Sequence, residues 1–225
     1  MKSIHDYPKP SVTVDVIIFT IMEDDLKVLL VKRKITPFRG KWAIPGGFVR
    51  TDESLEAAAK RELLEETNVK NIYLEQLYTF GSPKRDPRGR VITVAYFALV
   101  NPKDLDIRAS TDASDVKWFS VYKLPELAFD HEQMLEYSLQ RLRYKLEYST
   151  VCFQLLPKCF TLTDLQKAYE TIFNRELDKR NFRKKILSLG LINETGKITK
   201  GMAHRPAKLY SFDRKHMLLD NFIRA

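Results

Sequence analysis

This chain has few cysteines and histidines, and it has no long apolar run. The two cysteines, Cys152 and Cys159, and the four scattered histidines lack metal-ligand spacing, which argues against a zinc site. We expect both thiols to be reduced and buried in a cytoplasmic protein. No apolar run approaches the length of a membrane span, and the N-terminal residues lack a signal-peptide core. These absences predict a soluble protein without a membrane partner.

Charge is plentiful and unevenly distributed. The net charge is +9; residues 1–149 carry 23 Lys/Arg against 22 Asp/Glu, whereas residues 150–225 carry 15 against 7. An excess of cations confined to one third of a chain is typical of a region that binds a polyanion. A basic but inert surface is the alternative interpretation. The shift in charge predicts two domains, one over residues 1–149 and one over residues 150–225.

The most informative stretch covers residues 47–69 and reads GFVRTDESLEAAAKRELLEETNV. Residues 54–66 are rich in Ala and Leu with no Gly or Pro, which predicts a helix. Glu62, Glu65 and Glu66 share one face of its last turn, where mutual repulsion and the helix dipole both disfavour negative charge. We therefore expect these carboxylates to be accompanied by cations, either Mg²⁺ or Mn²⁺, or arginines.

This stretch resembles the Nudix box. The matching positions are Gly47, Glu53 and residues 61–66, and the box has a Gly where this chain has Asn68, which still tolerates a left-handed helix end. The resemblance implies that the three helix glutamates hold metal, and catalyse hydrolysis if activity is retained, and that Glu53 pairs with Arg61. An acidic helix face exposed to solvent is the alternative, but it does not explain about eight specified positions in fixed order.

Hydrophobic alternation predicts strands and two helices in the first domain. The expected strands cover residues 11–22, 26–34, 42–49, 71–80, 90–100 and 116–121, and a long helix is expected over residues 130–148. Strands around a box helix, closed by a second helix, predict a Nudix-like α/β/α sandwich with a mixed sheet. Followed by a helical domain, this gives an α+β fold class.

Residues 150–225 have the pattern of a winged helix-turn-helix. Helices are expected over residues 162–173 and 179–189, with Asp178 capping the second, and short strands over 191–194 and 208–212 flank a basic tip. The buried face of the second helix is expected to consist of Phe182, Ile186, Leu187 and Leu189. Its N-terminal part should meet base edges, and the tip should reach phosphates or the minor groove. The expected DNA contacts are Lys179, Arg180, Asn181, Arg183 and Lys184 in the helix, and Lys200 and Arg205 in the tip.

Over nearly its whole length the chain resembles the Nudix-related transcriptional regulators, the NrtR family. The resemblance rests on the box, on the loop SPKRDPRGR with the strand VITVAYFAL after it, and on the segments LDKRNFRKKILSLGL and RPAKLYSF. It implies that the Nudix-like domain senses a small-molecule effector, while the winged helix binds a palindromic operator in double-stranded DNA as a homodimer. The expected function is that of a transcriptional repressor.

The resemblance implies two classes of effector: ADP-ribose and related NAD metabolites, or sugars. Within the second class the arabinose-responsive branch is favoured from general likeness. A free sugar lacks phosphate, so a regulator of that kind requires neither Mg²⁺ nor Mn²⁺. The side chains expected to contact the effector are Arg33, Arg39, Trp42, Glu53 and Glu66.

Two other functions stay open at the level of sequence. One is a Mg²⁺-dependent pyrophosphohydrolase of ADP-ribose-like nucleoside diphosphates, in which the box glutamates bind metals that activate water. All three glutamates are present, so lost activity does not follow from the sequence. The other is an RNA-processing Nudix protein with a basic RNA-binding tail, which would bind single-stranded RNA and duplex DNA with comparable affinity.

Overall fold

The computed structural model describes residues 7–70, 72–101, 107, 113–199 and 206–213. These residues form two compact units. The first contains the described residues within 1–19, 27–98 and 105–138, and the second contains those within 20–26, 99–104 and 139–225. The domain boundary at residue 149 stays a prediction.

Nine strands and four α-helices occur in the described part of the chain. The strands are β1 (Ser11–Met22), β2 (Asp25–Arg33), β3 (Trp42–Ala43), β4 (Gly46–Phe48), β5 (Glu75–Phe80), β6 (Val91–Leu99), β7 (Ala113–Ser120), β8 (Ile192–Ile198) and β9 (Lys208–Phe212). The helices are α1 (Leu55–Thr67), α2 (His131–Tyr148), α3 (Leu162–Phe173) and α4 (Lys179–Ser188), with a 3-10 helix at Val151–Leu155.

The strands β1 to β7 form one mixed sheet, as predicted for an α+β fold. Its order is β3-β2-β1-β6-β5, while β4 also pairs with β1 and β7 with β2. The central strand β1 has eight consecutive buried residues, from Thr13 to Thr20. A run buried without alternation is expected of a strand whose sheet is covered on both faces.

The single strand predicted over residues 42–49 is wrong, because it is divided into β3 and β4. Pro45 stands between them and has no N–H to donate to a ladder. The preceding N–H, from Ile44, donates instead to Nδ1 of His131 at 2.9 Å. The interruption turns two backbone N–H groups, those of Ile44 and Gly46, toward side chains.

The box helix α1 begins and ends as the sequence predicts. Ser54 is its N-cap, with the hydroxyl accepting a hydrogen bond from the N–H of Ala57 at 3.2 Å. Asn68 ends the helix in the left-handed conformation with φ of 60°. Asn is the residue besides Gly that most readily adopts this conformation, so the departure from the box is absorbed by the backbone.

In the second unit, α3 and α4 begin at well-defined caps. Thr161 and Asp164 form a capping box on α3, and Asp178 caps α4 by accepting from the N–H of Asn181 at 2.8 Å. The prediction for the buried face of α4 is partly wrong. Ile186 is fully buried, but Leu187 is 50% exposed, because it lies about 100° around the helix from Ile186.

The hairpin β8–β9 lies where the wing was predicted. Strand β8 is longer than expected and ends at Ile198, which pairs with Lys208 of β9. Thr199 continues the pairing by donating its N–H to the carbonyl of Ala207 at 2.9 Å. The two residues predicted to contact DNA from the tip, Lys200 and Arg205, lie outside the described residues.

The two thiols differ in exposure. Both are free; Cys152 is buried as expected, but Cys159 is exposed, so the prediction of a second buried thiol is wrong. Cys159 lies in the loop between the 3-10 helix and α3. Among the helices described, none has the length and apolar composition needed to span a bilayer.

Candidate effector cavity and DNA-reading helix

A cavity of about 430 Å³ opens in the first unit. Its walls come from β1, β2, β4, α1, the loop between β5 and β6, and the start of α2. The basic lining residues are Lys32, Arg33, Lys34, Arg50, Arg61, Arg85 and Arg88, and the acidic ones are Asp15, Glu62, Glu65, Glu66 and Asp86. The volume is typical of a small-molecule site, and the excess of cations favours an anionic ligand.

Arg61 is the centre of the charged cluster on the box helix. Its Nε and Nη2 donate to the two carboxylate oxygens of Glu53 at 2.9 and 2.5 Å. Its Nη1 donates to Glu62 at 2.7 Å and to Glu65 at 3.0 Å. The bonds from Arg61 to Glu53, together with one from the Arg50 N–H, lower the pKa of Glu53 to about 2. The pairing of Glu53 with Arg61 implied by the Nudix resemblance is therefore present.

The same ion pairs bear on whether the box carboxylates can bind a metal ion. Of the two kinds of cation expected beside the glutamates, the structure supplies arginine. Within the described ranges, no three or more His, Cys, Asp or Glu side chains are grouped so that they could hold a metal ion. As the side chains lie, Mg²⁺ or Mn²⁺ does not fit, and metal binding and catalysis by Glu62, Glu65 and Glu66 stay predictions.

The box glycine Gly47 is explained by its neighbour on α1. A Cβ at Gly47 would lie 2.4 Å from Oε1 of Glu62 and 2.5 Å from its Cδ. Any larger residue would therefore displace the carboxylate that Arg61 holds. The glycine at this position leaves room for the box helix to approach β4, which brings Glu62 to the cavity.

Glu66 differs from the other box glutamates because it has no arginine partner among the described residues. Its Oε2 accepts a hydrogen bond from the N–H of Gly46 at 2.9 Å. Burial, together with the nearby carboxylates of Glu62 and Asp15, raises the pKa of Glu66 to about 8 against the opposing effects of the Gly46 N–H and Arg33. Glu66 is thus the box carboxyl that most readily holds a proton in the ligand-free cavity.

A buried polar network lies beside the box. Oδ2 of Asp15 accepts a hydrogen bond from the Thr93 hydroxyl at 2.5 Å. The same oxygen lies 3.9 Å from Nη2 of Arg85. Arg85 also donates to both carboxylate oxygens of Asp130, at 2.7 and 3.0 Å. Burial raises the pKa of Asp15 to about 6 despite these partners. Asp15 is therefore a buried polar group of β1 that has a hydrogen-bond partner within the sheet.

His131 completes this network. Because its Nδ1 accepts from Ile44, the neutral ring carries its proton on Nε2, which lies 3.8 Å from Oδ1 of Asp15. Burial lowers the pKa of His131 to about 3, so the ring is neutral. Sequence reasoning missed Arg85, Asp130 and His131 as site residues. Arg85 and Asp130 are 45 positions apart, and no local pattern connects them.

Aromatic rings and guanidinium groups form another part of the lining. The guanidinium of Arg33 lies 4.8 Å, and that of Arg88 5.5 Å, from the ring centroid of Phe129. Asp86 holds Arg88 in place through contacts of 2.7 and 3.0 Å. Nη2 of Arg33 and the hydroxyl of Thr13 are buried without a hydrogen-bond partner in the part of the chain that the structure describes.

The predicted effector contacts divide into two groups. Arg33 and Glu66 line the cavity, and Glu53 reaches it only through Arg61. Arg39 is exposed outside the cavity lining, and Trp42 packs against Phe119 with ring centroids 4.6 Å apart. Side chains alternate along a strand, so Ala43 faces the cavity and Trp42 faces away. The structure gives the effector role of Arg39 and Trp42 no support.

The predicted DNA-contacting residues of the second helix gather at the N-terminus of α4. Those exposed to solvent are Lys179, Arg180, Asn181 and Lys184. Arg183 is half-buried, and its Nη2 donates to the Thr163 hydroxyl of α3 at 3.1 Å. The helix dipole adds positive potential at this end. The surface is therefore suited to phosphate groups.

The fold and these two sites define a protein of two modules, a Nudix domain and a winged helix. A profile described as the NUDIX domain matches residues 11–138, and one described as the NrtR DNA-binding winged helix domain matches residues 152–212. Together they cover both the cavity and α4.

Curated relatives match one or both modules. The ADPR responsive transcriptional repressor NtrR of Acinetobacter baylyi is 42% identical over 211 residues, which is 92% of this chain and 84% of that protein. The ADP-ribose pyrophosphatase of Methanocaldococcus jannaschii is 42% identical over 136 residues, which is 60% of this chain and 77% of that protein. The first relative thus shares both modules, and the second shares the Nudix module.

Solved structures give the same assignment. Shewanella oneidensis NrtR complexed with a 27mer DNA superposes with a TM-score of 0.81 and 38% identity, over 95% of this chain and 98% of that one. The NUDIX domain of the same NrtR complexed with ADP ribose has a TM-score of 0.57 and 41% identity, over 63% of this chain and 94% of that one. This chain belongs to the NrtR family.

Proposed function

We propose that this protein is a transcriptional repressor whose Nudix domain binds ADP-ribose and whose winged helix then leaves its operator. The observation that carries the proposal is the likeness to S. oneidensis NrtR bound to a 27mer DNA, over 95% of this chain. That likeness includes the cavity and α4 together. The A. baylyi relative, an ADPR responsive repressor, supports the same pairing of functions.

The chemistry of the cavity supports a nucleoside diphosphate sugar as effector. Seven cationic side chains against five acidic ones suit the two negative charges of a pyrophosphate. The Phe129 ring and the guanidinium of Arg88 offer flat surfaces for a base or a ribose. The unpartnered Nη2 of Arg33 and hydroxyl of Thr13 would gain acceptors and donors from such a ligand once the site rearranges around it.

The arabinose hypothesis finds no support. An uncharged pentose offers nothing to balance the excess of cationic groups lining the cavity. Of the two side chains singled out for a sugar ring, Trp42 packs elsewhere and Arg39 is exposed outside the cavity. The comparison proteins are named for ADP-ribose rather than for a sugar. ADP-ribose is therefore the effector we propose.

We infer that the operator is palindromic and that the protein binds it as a homodimer in the cytoplasm. Two copies of α4 spaced by about 34 Å would enter successive major grooves on one side of the duplex. The exposed Lys179, Arg180, Asn181 and Lys184 support α4 as the reading helix. Arg183, bonded to Thr163, is better suited to fix the helix than to contact a base. Lys200 and Arg205 of the tip stay proposed phosphate contacts.

Fluorescence anisotropy tests the proposal. The probe is a labelled duplex, as long as the 27mer bound by S. oneidensis NrtR, that the protein itself selects from a random-sequence library. Saturating ADP-ribose is expected to weaken binding by about fivefold or more, whereas L-arabinose at the same concentration should have no effect. Calorimetry should give one ADP-ribose per chain. Duplex affinity that is unchanged by ADP-ribose would contradict the proposal.

Hydrolysis of ADP-ribose is a second candidate, favoured by the identity of 42% to the M. jannaschii pyrophosphatase over 136 residues. Chromatography of AMP released in the presence of Mg²⁺ or Mn²⁺ distinguishes an enzyme from a regulator. Because Glu62 and Glu65 already accept hydrogen bonds from Arg61, we expect the wild type to release no more AMP than Glu62→Gln does. A larger yield from the wild type would establish turnover.

A further inference from the structure

The turn between β1 and β2 has an unusual backbone. Glu23 and Asp24 both lie in the left-handed region, with φ of 57° and 56°. Two-residue hairpin turns of this kind are usually made of Asn and Gly, because a residue with a Cβ is strained at positive φ. Such strain persists where the surrounding structure holds the turn, and it is concentrated at functional positions.

Helix α3 contacts this turn within the second unit. Nζ of Lys167 lies 2.9 Å from Oδ2 of Asp24, and the hydroxyl of Thr171 lies 3.5 Å from the Asp24 carbonyl oxygen. Lys167 and Thr171 are four residues apart, so both contacts come from one face of α3. The side chains of Lys167 and Asp24 are 52% and 72% exposed. Ion pairs this exposed are weak and easily broken.

A second contact lies at the C-terminus of α3. Nε of Arg143, on α2, donates to the carbonyl of Ile172 at 2.9 Å. The last turn of α3 has no basic residue of its own. Arg143 therefore supplies both the donor and the positive charge that the end of a helix prefers. Helix α3 is thus held from the β1–β2 turn and from α2.

The elements that make these contacts also contribute residues to the effector cavity. Strand β1 carries Asp15 and β2 carries Arg33, and the strained turn joins the two strands. Helix α2 begins at His131, which lines the cavity, and its 18 residues extend for about 27 Å. Hydrogen-bonded strands and helices transmit a displacement along their length because they resist bending. A ligand that shifts Asp15, Arg33 or His131 therefore acts on elements that hold α3.

We propose that Asp24 and Arg143 are positioning residues that couple the ligand state of the cavity to the placement of α3, and hence of α4. The inference rests on the proposed function and adds the route by which the effector acts. Helix α4 is expected to move together with α3, because the two helices are in contact. The ring centroids of Phe182 and Tyr169 are 5.5 Å apart, and Arg183 donates a hydrogen bond to the Thr163 hydroxyl. The weakness of the Asp24–Lys167 pair suits a contact that is made in one state and lost in the other.

Three single variants of the full chain test this route. Asp24→Asn removes the charge and keeps a residue that tolerates positive φ, and Arg143→Gln removes the charge from the end of α3. Arg141→Gln is the matched control, because Arg141 lies on the same helix and is exposed. The measured quantity is the coupling ratio, defined as the dissociation constant for the operator duplex with saturating ADP-ribose divided by that without it.

We expect Asp24→Asn and Arg143→Gln each to lower the coupling ratio by about fivefold or to abolish it. Their ADP-ribose affinity, measured by calorimetry, should stay within about twofold of wild type, because neither residue lines the cavity. Arg141→Gln should keep the wild-type ratio. The exchange Asp24→Lys with Lys167→Asp should restore coupling relative to Asp24→Lys alone, which a merely structural loss would not do.

The outcomes are distinguishable. Wild-type coupling in Asp24→Asn and Arg143→Gln would overturn the inference and leave the proposed function standing. An equal loss in Arg141→Gln would also overturn it, because the effect would then not depend on contact with α3. If Arg143→Gln fails to fold, Arg143→Lys keeps the charge and tests the same contact. A wild-type ratio of one would overturn the proposed function and the inference together.

Discussion

The box helix α1 and the reading helix α4 differ in how their charged side chains are placed: those of α1 are largely paired, and those of α4 are exposed. On α1, Arg61 donates hydrogen bonds to three glutamates, so most of its charge is balanced within the cluster. On α4, Lys179, Arg180 and Lys184 are exposed and make no ion pair within the described ranges. Charge that is neutralised inside the fold serves its structure, whereas charge left exposed is available to a partner. The contrast agrees with the near-neutral first two thirds of the chain and its basic last third.

The largest expected effect tests whether the α1 cluster is structural. Arg61→Ala leaves the carboxylates of Glu53 and Glu62 without their partner. The Arg61 side chain is only 16% exposed in the folded protein. Removing one partner leaves the other charges uncompensated, so we expect Arg61→Ala to lose several times more unfolding free energy than a variant that breaks an exposed pair. Urea denaturation followed by tryptophan fluorescence measures the loss.

The matched control is Lys60→Ala on the same helix. Lys60 pairs with Glu56 at 2.6 Å, but the two side chains are 56% and 60% exposed. Exposed pairs of this kind contribute about 0.5 kcal/mol or less. If both variants lost equally little stability, the α1 cluster would be no more structural than the surface around it.

The next largest effect concerns the buried carboxyl group of Asp15, whose ionisation is disfavoured in the folded protein. Burial raises the pKa of Asp15 to about 6 from its ordinary 3.8. The folded protein therefore binds this proton more tightly than the unfolded chain does. The resulting stabilisation is full below about pH 4 and is lost as the pH rises through about 6. Relative to Asp15→Asn, which stays neutral, the wild type should lose about 1–3 kcal/mol between these values.

Urea denaturation of both proteins at pH 4, 5, 6 and 7 measures this difference. Most other carboxyls titrate alike in the two proteins, so the difference in unfolding free energy isolates Asp15. A difference that is constant over the whole range would mean that the Asp15 carboxyl titrates normally, and that Thr93 and Arg85 compensate its burial.

Local chemistry made part of this molecule predictable. The pairing of Glu53 with Arg61 was implied by the Nudix resemblance, whereas the left-handed Asn68 and the cap at Asp178 each depend on residues within four positions of one another. Over that distance, helix geometry fixes which side chains meet. The predicted strands and helices follow from the same kind of short-range periodicity.

The rest depends on contacts between distant residues, which periodicity does not contain. Arg85 meets Asp130, and Ile44 meets His131, only because the sheet and α2 bring them together. Trp42 faces away from the cavity because of a strand register that the sequence leaves open. The choice between arginine and metal beside the box was also open, because either cation satisfies the same carboxylates.

The smallest expected effect concerns the exposed cationic side chains of α4. Arg180→Ala removes one exposed charge at the helix N-terminus. We expect about tenfold weaker binding of the palindromic duplex, and a fall of about one in the slope of log affinity against log salt. Anisotropy titrations at several salt concentrations give both quantities.

Lys70→Ala removes the same charge from an exposed position in the first unit. Because Lys70 lies outside residues 152–212, which match the DNA-binding winged helix domain, the change should alter affinity by no more than about twofold. If Arg180→Ala and Lys70→Ala weakened binding equally, only net charge would matter, and α4 would lose its role as the reading helix. A loss confined to the palindrome, with binding to unrelated duplex unchanged, would instead assign Arg180 to a base edge rather than to a phosphate. That outcome would make the contrast with α1 sharper, since the exposed cation would then carry sequence information as well as charge.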